Sequence, residues 1–194
     1  MNGIRRILSV TFALAVLAAP AAAADKKEKK PMADQFTGTL VAMTGTAGGM
    51  GQRVTIWIDA YTADADAQAI KKTLVEGGQA ALRNALPNYE AGRIRIGTNN
   101  SYPLSIARQR VASDGRVILL ATNAPLTGFQ ANSGARSEDY PVGFIELKLK
   151  ADGTGEGTII AMAQVSIDES NNLKIASYGA QPSRLMNVET AKKN

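Results

Sequence analysis

Neither cysteine nor histidine occurs anywhere in the 194 residues. Their absence excludes disulfides, thiol nucleophiles, histidine general bases and the serine–histidine–aspartate triad, and it removes the nitrogen and sulfur ligands of a zinc site. Any catalysis would have to run on carboxylates, tyrosine, lysine, serine or arginine, and no metal or cofactor is expected. Aromatic residues make up only 5% of the chain, a thin supply for stacking sugars or bases. Long hydrophobic runs are missing too. The N-terminal run Ile7–Leu17 is broken by Ser9 and Thr11 and falls short of the roughly 20 residues that a membrane-spanning helix needs. No second run of membrane length follows, so no membrane-spanning segment is expected in the mature chain.

What the N-terminus does contain fits a secretory signal peptide over residues 1–24. Arg5 and Arg6 precede the apolar run, Pro20 ends it, and Ala22-Ala23-Ala24 supplies small residues for cleavage after Ala24. With no cysteine behind the run, no lipid anchor is expected. These features predict an exported protein, periplasmic or secreted.

The net charge of +5 invites a nucleic-acid reading, but the positions of the charges dismantle it. Of 22 basic residues, two lie in the signal peptide, four in Lys26–Lys30 and two at Lys192 and Lys193. Of 17 acids, Asp25, Glu28 and Glu189 lie outside the stretch from Pro31 to Val188. That stretch carries 14 of each sign and is neutral, without the basic stripe that dominates nucleic-acid affinity. Nucleic acid is therefore not an expected partner. Lys26–Lys30 reads as a solvated linker, with a weak anchor to an anionic surface as the alternative.

The expected layout is a polar, disordered lead-in over 25–35, one β-rich domain over 36–188 and a disordered tail over 189–194. Period-two alternation marks strands in Arg53–Asp59, Arg93–Ile96 and Phe144–Lys150, with one face to a core and one to water. Val117–Ala121 is a continuous apolar run, as in a strand covered on both faces. Asp114-Gly115 and Asp152-Gly153 are hairpin turns expected to use positive φ, and Glu169–Asn172 separates a further pair. Gly48–Gly51 is a looser tip; Thr44–Gly51 lacks the Gly-Lys-Ser/Thr ending of a phosphate loop. Between Asp64 and Leu86, apolar residues recur at three- and four-residue spacing, which is a helical stripe. Thr62 or Asp64 can cap it and Asp66 suits its first turn; at Gly77-Gly78 either the helix breaks or its backbone packs closely on the sheet, and two short helices are the favoured reading. The predicted architecture is mainly β: an antiparallel meander of about eight or nine strands, curled or closed into a barrel-like domain, with this helical segment inserted after the second strand.

The span from Phe36 to Val188 resembles an uncharacterised family of small secreted bacterial proteins, a domain of unknown function. The likeness rests on Val54-Thr55-Ile56-Trp57-Ile58-Asp59, Glu76-Gly77-Gly78-Gln79, Tyr102–Arg110, Arg136-Ser137-Glu138-Asp139-Tyr140-Pro141 and Pro182-Ser183-Arg184-Leu185. Relatives carry Asp-Arg-Pro where this chain has Asn123-Ala124-Pro125. The resemblance implies a single exported domain and brings no activity with it.

Candidate chemistry is sparse. Asp64 and Asp66 fit helix-dipole compensation better than cation binding. Arg108 and Arg110 share a strand face and could grip an anion, though cross-strand pairing with Glu146 or Asp59 is favoured. Glu146 and Glu156 resemble a glycosidase pair only superficially. Trp57 falls on the polar face of its strand, covered by a neighbour or offered as a contact. The connection from Asn123 to Pro141 is long for a meander and is expected to be the functional loop. Within it Phe129 and Tyr140 are the candidate contacts, Arg136 the polar anchor and Asp139 its ion-pair partner. The function that follows is a non-catalytic exported binding module, holding a small apolar ligand inside the curved sheet or docking on an envelope protein. The alternatives are a carboxylate-based hydrolase and a structural envelope component acting through oligomerisation; an enzyme is disfavoured.

Overall fold

The computed structural model describes residues 32–41, 51–98, 100–126, 142–168, 173–177 and 182–191. In chain order these form β1 (Asp34–Val41), β2 (Gln52–Ile58), α1 (Asp64–Ala85), a 3-10 turn (Leu86–Asn88), β3 (Gly92–Ile96), β4 (Asn100–Ala112), β5 (Gly115–Thr122), β6 (Val142–Lys150), β7 (Thr154–Ile167), β8 (Leu173–Ser177) and β9 (Ser183–Thr190). The signal-peptide region and Lys26–Lys30 lie outside the described residues.

Alternation sets the inward face of each strand. Val54, Ile56 and Ile58 of β2 and Ile94 and Ile96 of β3 are at most 2% exposed, and Ile56 sits opposite both Phe36 of β1 and Ile94 of β3. The antiparallel meander continues through β6, and β7 pairs with both β6 and β9. β9 then pairs with β1, so β1 to β7 together with β9 close an eight-stranded antiparallel barrel. A barrel of eight strands is just wide enough for side chains to fill. Phe36, Ile56, Ile94, Ile118, Leu120 and Ile145 do so, each at most 1% exposed. β8 stands outside the circuit and, among the described residues, pairs only with the distal half of β7.

The folded region is wider than residues 36–188. β1 starts at Asp34, whose carboxylate is held by Tyr61 and Arg116. β9 runs to Thr190, whose amide and hydroxyl both donate to the Gly153 carbonyl, and the Ala191 amide donates to Gln35. β4 starts at Asn100 and accommodates Pro103, because β5 begins to pair with β4 only at Leu104 and the proline nitrogen needs no partner there.

The helix follows β2 as expected and divides at Gly78, whose φ of 64° and ψ of −159° are non-helical. Its cap differs. Ala63 takes the N-cap position with no side-chain hydrogen bond, because the Thr62 hydroxyl instead accepts from the Ala107 amide and Asp64 is drawn to Arg108. The turns also divide. Gly153 does take a positive φ of 82°, but Gly115 does not. Glycine is needed at 115 because a Cβ there would collide with the Leu149 carbonyl of β6.

A second apolar layer lies outside the barrel. Ile70, Leu74, Leu82 and Leu86 from the helical segment pack with Val142, Ala163 and Val165 of β6 and β7. This layer lies over the outer face of the sheet between β4 and β7 and explains the continuous apolar run in β5, where Ala121 is 7% exposed although it points away from the barrel core.

Candidate functional site

Where α1 leans on the barrel, the two surfaces leave an apolar cleft of about 240 Å³. Its floor is the outer face of three adjacent strands. A register shift between Leu104 and Ile106 in β4 brings Ile106 and Arg108 to that face, beside Leu119 and Ala121 of β5 and Val142 and Phe144 of β6. Ile70 and Leu74 from the first half of α1 form one wall with Leu82 from the second. Val165 and Ile167 of β7, with Leu173 of β8, close the far side. The charged lining residues are Lys71 and Arg108.

Arg108 is the one expected contact residue that the described structure places in this cleft. Its guanidinium pairs with Asp64 at 2.7 Å and donates to the Thr62 carbonyl at 2.8 Å. The expected partners, Glu146 and Asp59, are therefore replaced by the helix start, which tethers α1 to β4. Arg110 shares the outer face but is exposed and outside the cleft lining, and Arg108 is engaged by Asp64. Phe129, Arg136, Asp139 and Tyr140 lie outside the described residues. Only the start of their connection, Asn123–Leu126, is described, and it is a strut. Leu126 is fully buried in the barrel core with its amide on the Ala161 carbonyl at 2.8 Å. The Thr122 hydroxyl donates to Ala124 and accepts from the Gly143 amide at 2.7 Å.

Glu146 and Glu156 do face a common polar hollow of about 120 Å³, together with Lys148 and Arg184. Lys148 pairs with Glu146 at 3.8 Å and stands opposite Glu156 in the β6–β7 register, so the two acids are interleaved with cations. Among the described residues, no group of three or more carboxylates stands close enough together to hold a metal ion. Trp57 is half-buried: the guanidinium groups of Arg93 and Arg95 on β3 lie 4.6 and 5.1 Å from the ring centroid and leave part of the ring open on the outer face.

A polar cluster that the sequence reading missed lies where β1 begins. Asp34 accepts from Arg116 at 2.9 Å and from the Tyr61 hydroxyl at 2.7 Å, and Arg116 also reaches Gln109. Burial, then the hydrogen bond and the charge of Asp34, push the Tyr61 phenol well above its ordinary pKa. Burial works against the Arg116 charge, yet Asp34 outweighs it and the guanidinium pKa is raised. The signal was parity: Asp34 alternates in phase with Phe36, and Arg116 with Ile118, so two polar residues occupy inward positions. The cleft had a signal as well, since β5 is apolar at outward Leu119 and Ala121.

A larger hollow, about 720 Å³, lies near the Asp114 turn and is lined by charged side chains of both signs with Leu149, Met186 and Val188. It is open and mixed in polarity, whereas ligand sites are mostly apolar with a few placed polar groups, and the smaller cleft fits that pattern better. No known protein-family model matches the chain, and no curated protein or solved structure is significantly similar to it. The likeness to small secreted proteins accordingly rests on its motifs alone.

Proposed function

We propose that the protein is an exported, non-catalytic binding module that holds a small apolar ligand in the cleft between α1 and the outer wall of the barrel. The observation that carries this reading is the lining: aliphatic and aromatic side chains on every wall, with Lys71 and Arg108 as the charged lining groups. The barrel interior is taken up by its own side chains, so the ligand belongs outside the sheet. At about 240 Å³ the cleft is roomier than the ~150 Å³ apolar cavities that accept benzene and lies just below the usual ligand-pocket range of about 300–1,000 Å³. A short hydrocarbon chain or single ring fits that scale.

Native mass spectrometry of the protein purified from its own periplasm tests the proposal. A co-purifying small mass is expected, and Ala67→Phe, which places a ring into the cleft from the helix, is expected to lose it while the circular dichroism spectrum stays unchanged. A ligand retained by the Ala67→Phe protein would sink the assignment to this cleft. A mass found only as multiples of the chain would favour the assembly reading.

A further inference from the structure

The outer face of β1, β2 and β3 carries charge of one sign. Alternation turns Arg53 and Trp57 of β2 and Arg93 and Arg95 of β3 outward, with Trp57 opposite Arg93 in the register. The other outward positions within these strands are threonines, Gln35 and Val41, so the strands hold three outward cations and no carboxylate; the exposed Asp59 follows just past the end of β2. Arg53, Arg93 and Arg95 are all exposed. Among the described residues no acid forms an ion pair with any of them. This concentration is unexpected in a folded region that is neutral overall.

We propose that this face docks the protein on a bilayer of anionic phospholipid. Three observations favour a membrane surface over a polyanionic chain. The face is the convex outside of a barrel, whereas a single-stranded polyanion is held in a groove that tracks its backbone. It carries a half-buried tryptophan beside Arg93 and Arg95, an amphipathic ring suited to the headgroup level, where an apolar body meets water. Four lysines, Lys26, Lys27, Lys29 and Lys30, immediately precede the strand that borders this face. The Ala33 amide donates to Ile58, and Gln35 stands opposite Trp57, so the chain arrives beside the tryptophan. At a rise of about 3.3 Å per residue, these lysines can reach the same plane. Juxtamembrane basic residues strengthen attachment to an anionic surface by roughly fivefold each. A weak, salt-sensitive attachment built from the three arginines and one ring follows.

The reading is independent of the ligand cleft, and Trp57, the chain's single tryptophan, reports on it directly. The mature protein, beginning at Asp25, is mixed with phosphatidylglycerol-containing vesicles, with pure phosphatidylcholine vesicles and with soluble heparin, and Trp57 emission and co-sedimentation are recorded at low and high salt. A blue shift with sedimentation is expected for the anionic vesicles alone, fading as salt is raised. The double substitution Arg93→Gln/Arg95→Gln is expected to weaken it about thirtyfold, with circular dichroism checking the fold; Arg53→Gln alone should weaken it about fivefold. The proposal is overturned by no shift with anionic vesicles, by equal binding to phosphatidylcholine, or by a folded double variant that binds like the wild type. Tighter binding to heparin than to vesicles would overturn it too, by pointing to a polymer ligand.

Discussion

Asp34 and Arg116 show how single residues stabilise this barrel at a distance. Both sit at inward positions, where an unpaired charge would be severely penalised, and each supplies the other's partner across 82 residues of sequence. Tyr61 completes the cluster as a neutral donor to Asp34. Its raised pKa has a definite consequence for alkaline stability. Above its ordinary value of 10.0, the phenol of the unfolded chain ionises while the folded one stays protonated, so unfolding releases a proton. The contribution is therefore full below about pH 10 and is lost progressively as pH rises beyond it. Tyr61→Phe removes this linkage at the cost of one hydrogen bond, about 1 kcal/mol. Urea unfolding at pH 9 and pH 11 should show the wild type losing more stability over that interval than the variant. Equal losses would mean that Tyr61 titrates as an ordinary tyrosine.

Among the elements, α1 depends most on particular glycines. Glycine in a helix interior ordinarily costs about 1 kcal/mol relative to alanine, so replacement would normally stabilise. Here the sign reverses. Gly78 adopts a φ and ψ that are essentially confined to glycine, and a Cβ on Gly77 would collide with Ala81. The break allows both halves of the helix to send leucines to the same apolar layer, Leu74 before it and Leu82 after it. Gly78→Ala is expected to destabilise by about 1–3 kcal/mol although nothing lies within 4 Å of the new methyl. Denaturant midpoints would measure this, and a variant more stable than the wild type would contradict the backbone argument.

For the molecule as a whole, closure of the barrel rests on core contacts that include a connection as well as strands. Leu126 follows β5, outside any strand, yet is fully buried among the barrel residues. Leu126→Ala should cost about 2–5 kcal/mol, as for other leucines truncated in cores, whereas Val111→Ser, at a side chain 90% exposed, should stay within about 0.5 kcal/mol. Thermal unfolding of the two variants compares them directly. A small effect at Leu126 would show that the start of this connection is dispensable for the fold.

Much of this architecture was legible from local pattern. Val54, Ile56 and Ile58 announced their strand because period-two burial is a property of consecutive residues, and Gly77-Gly78 announced the helix break because glycine's backbone freedom is intrinsic. The absence of cysteine and histidine likewise narrowed the available chemistry through composition alone. Through-space partners were another matter. β9 closes on β1, Arg108 chooses Asp64 instead of Glu146, and Glu189 and Thr190 join a strand because distant backbone comes alongside. The cleft belongs to the same class: Leu119 and Ala121 are apolar outward residues in sequence, and they become a binding surface only where α1 folds back over them. Local alternation determines which way each side chain points, while pairing between remote segments decides what it meets.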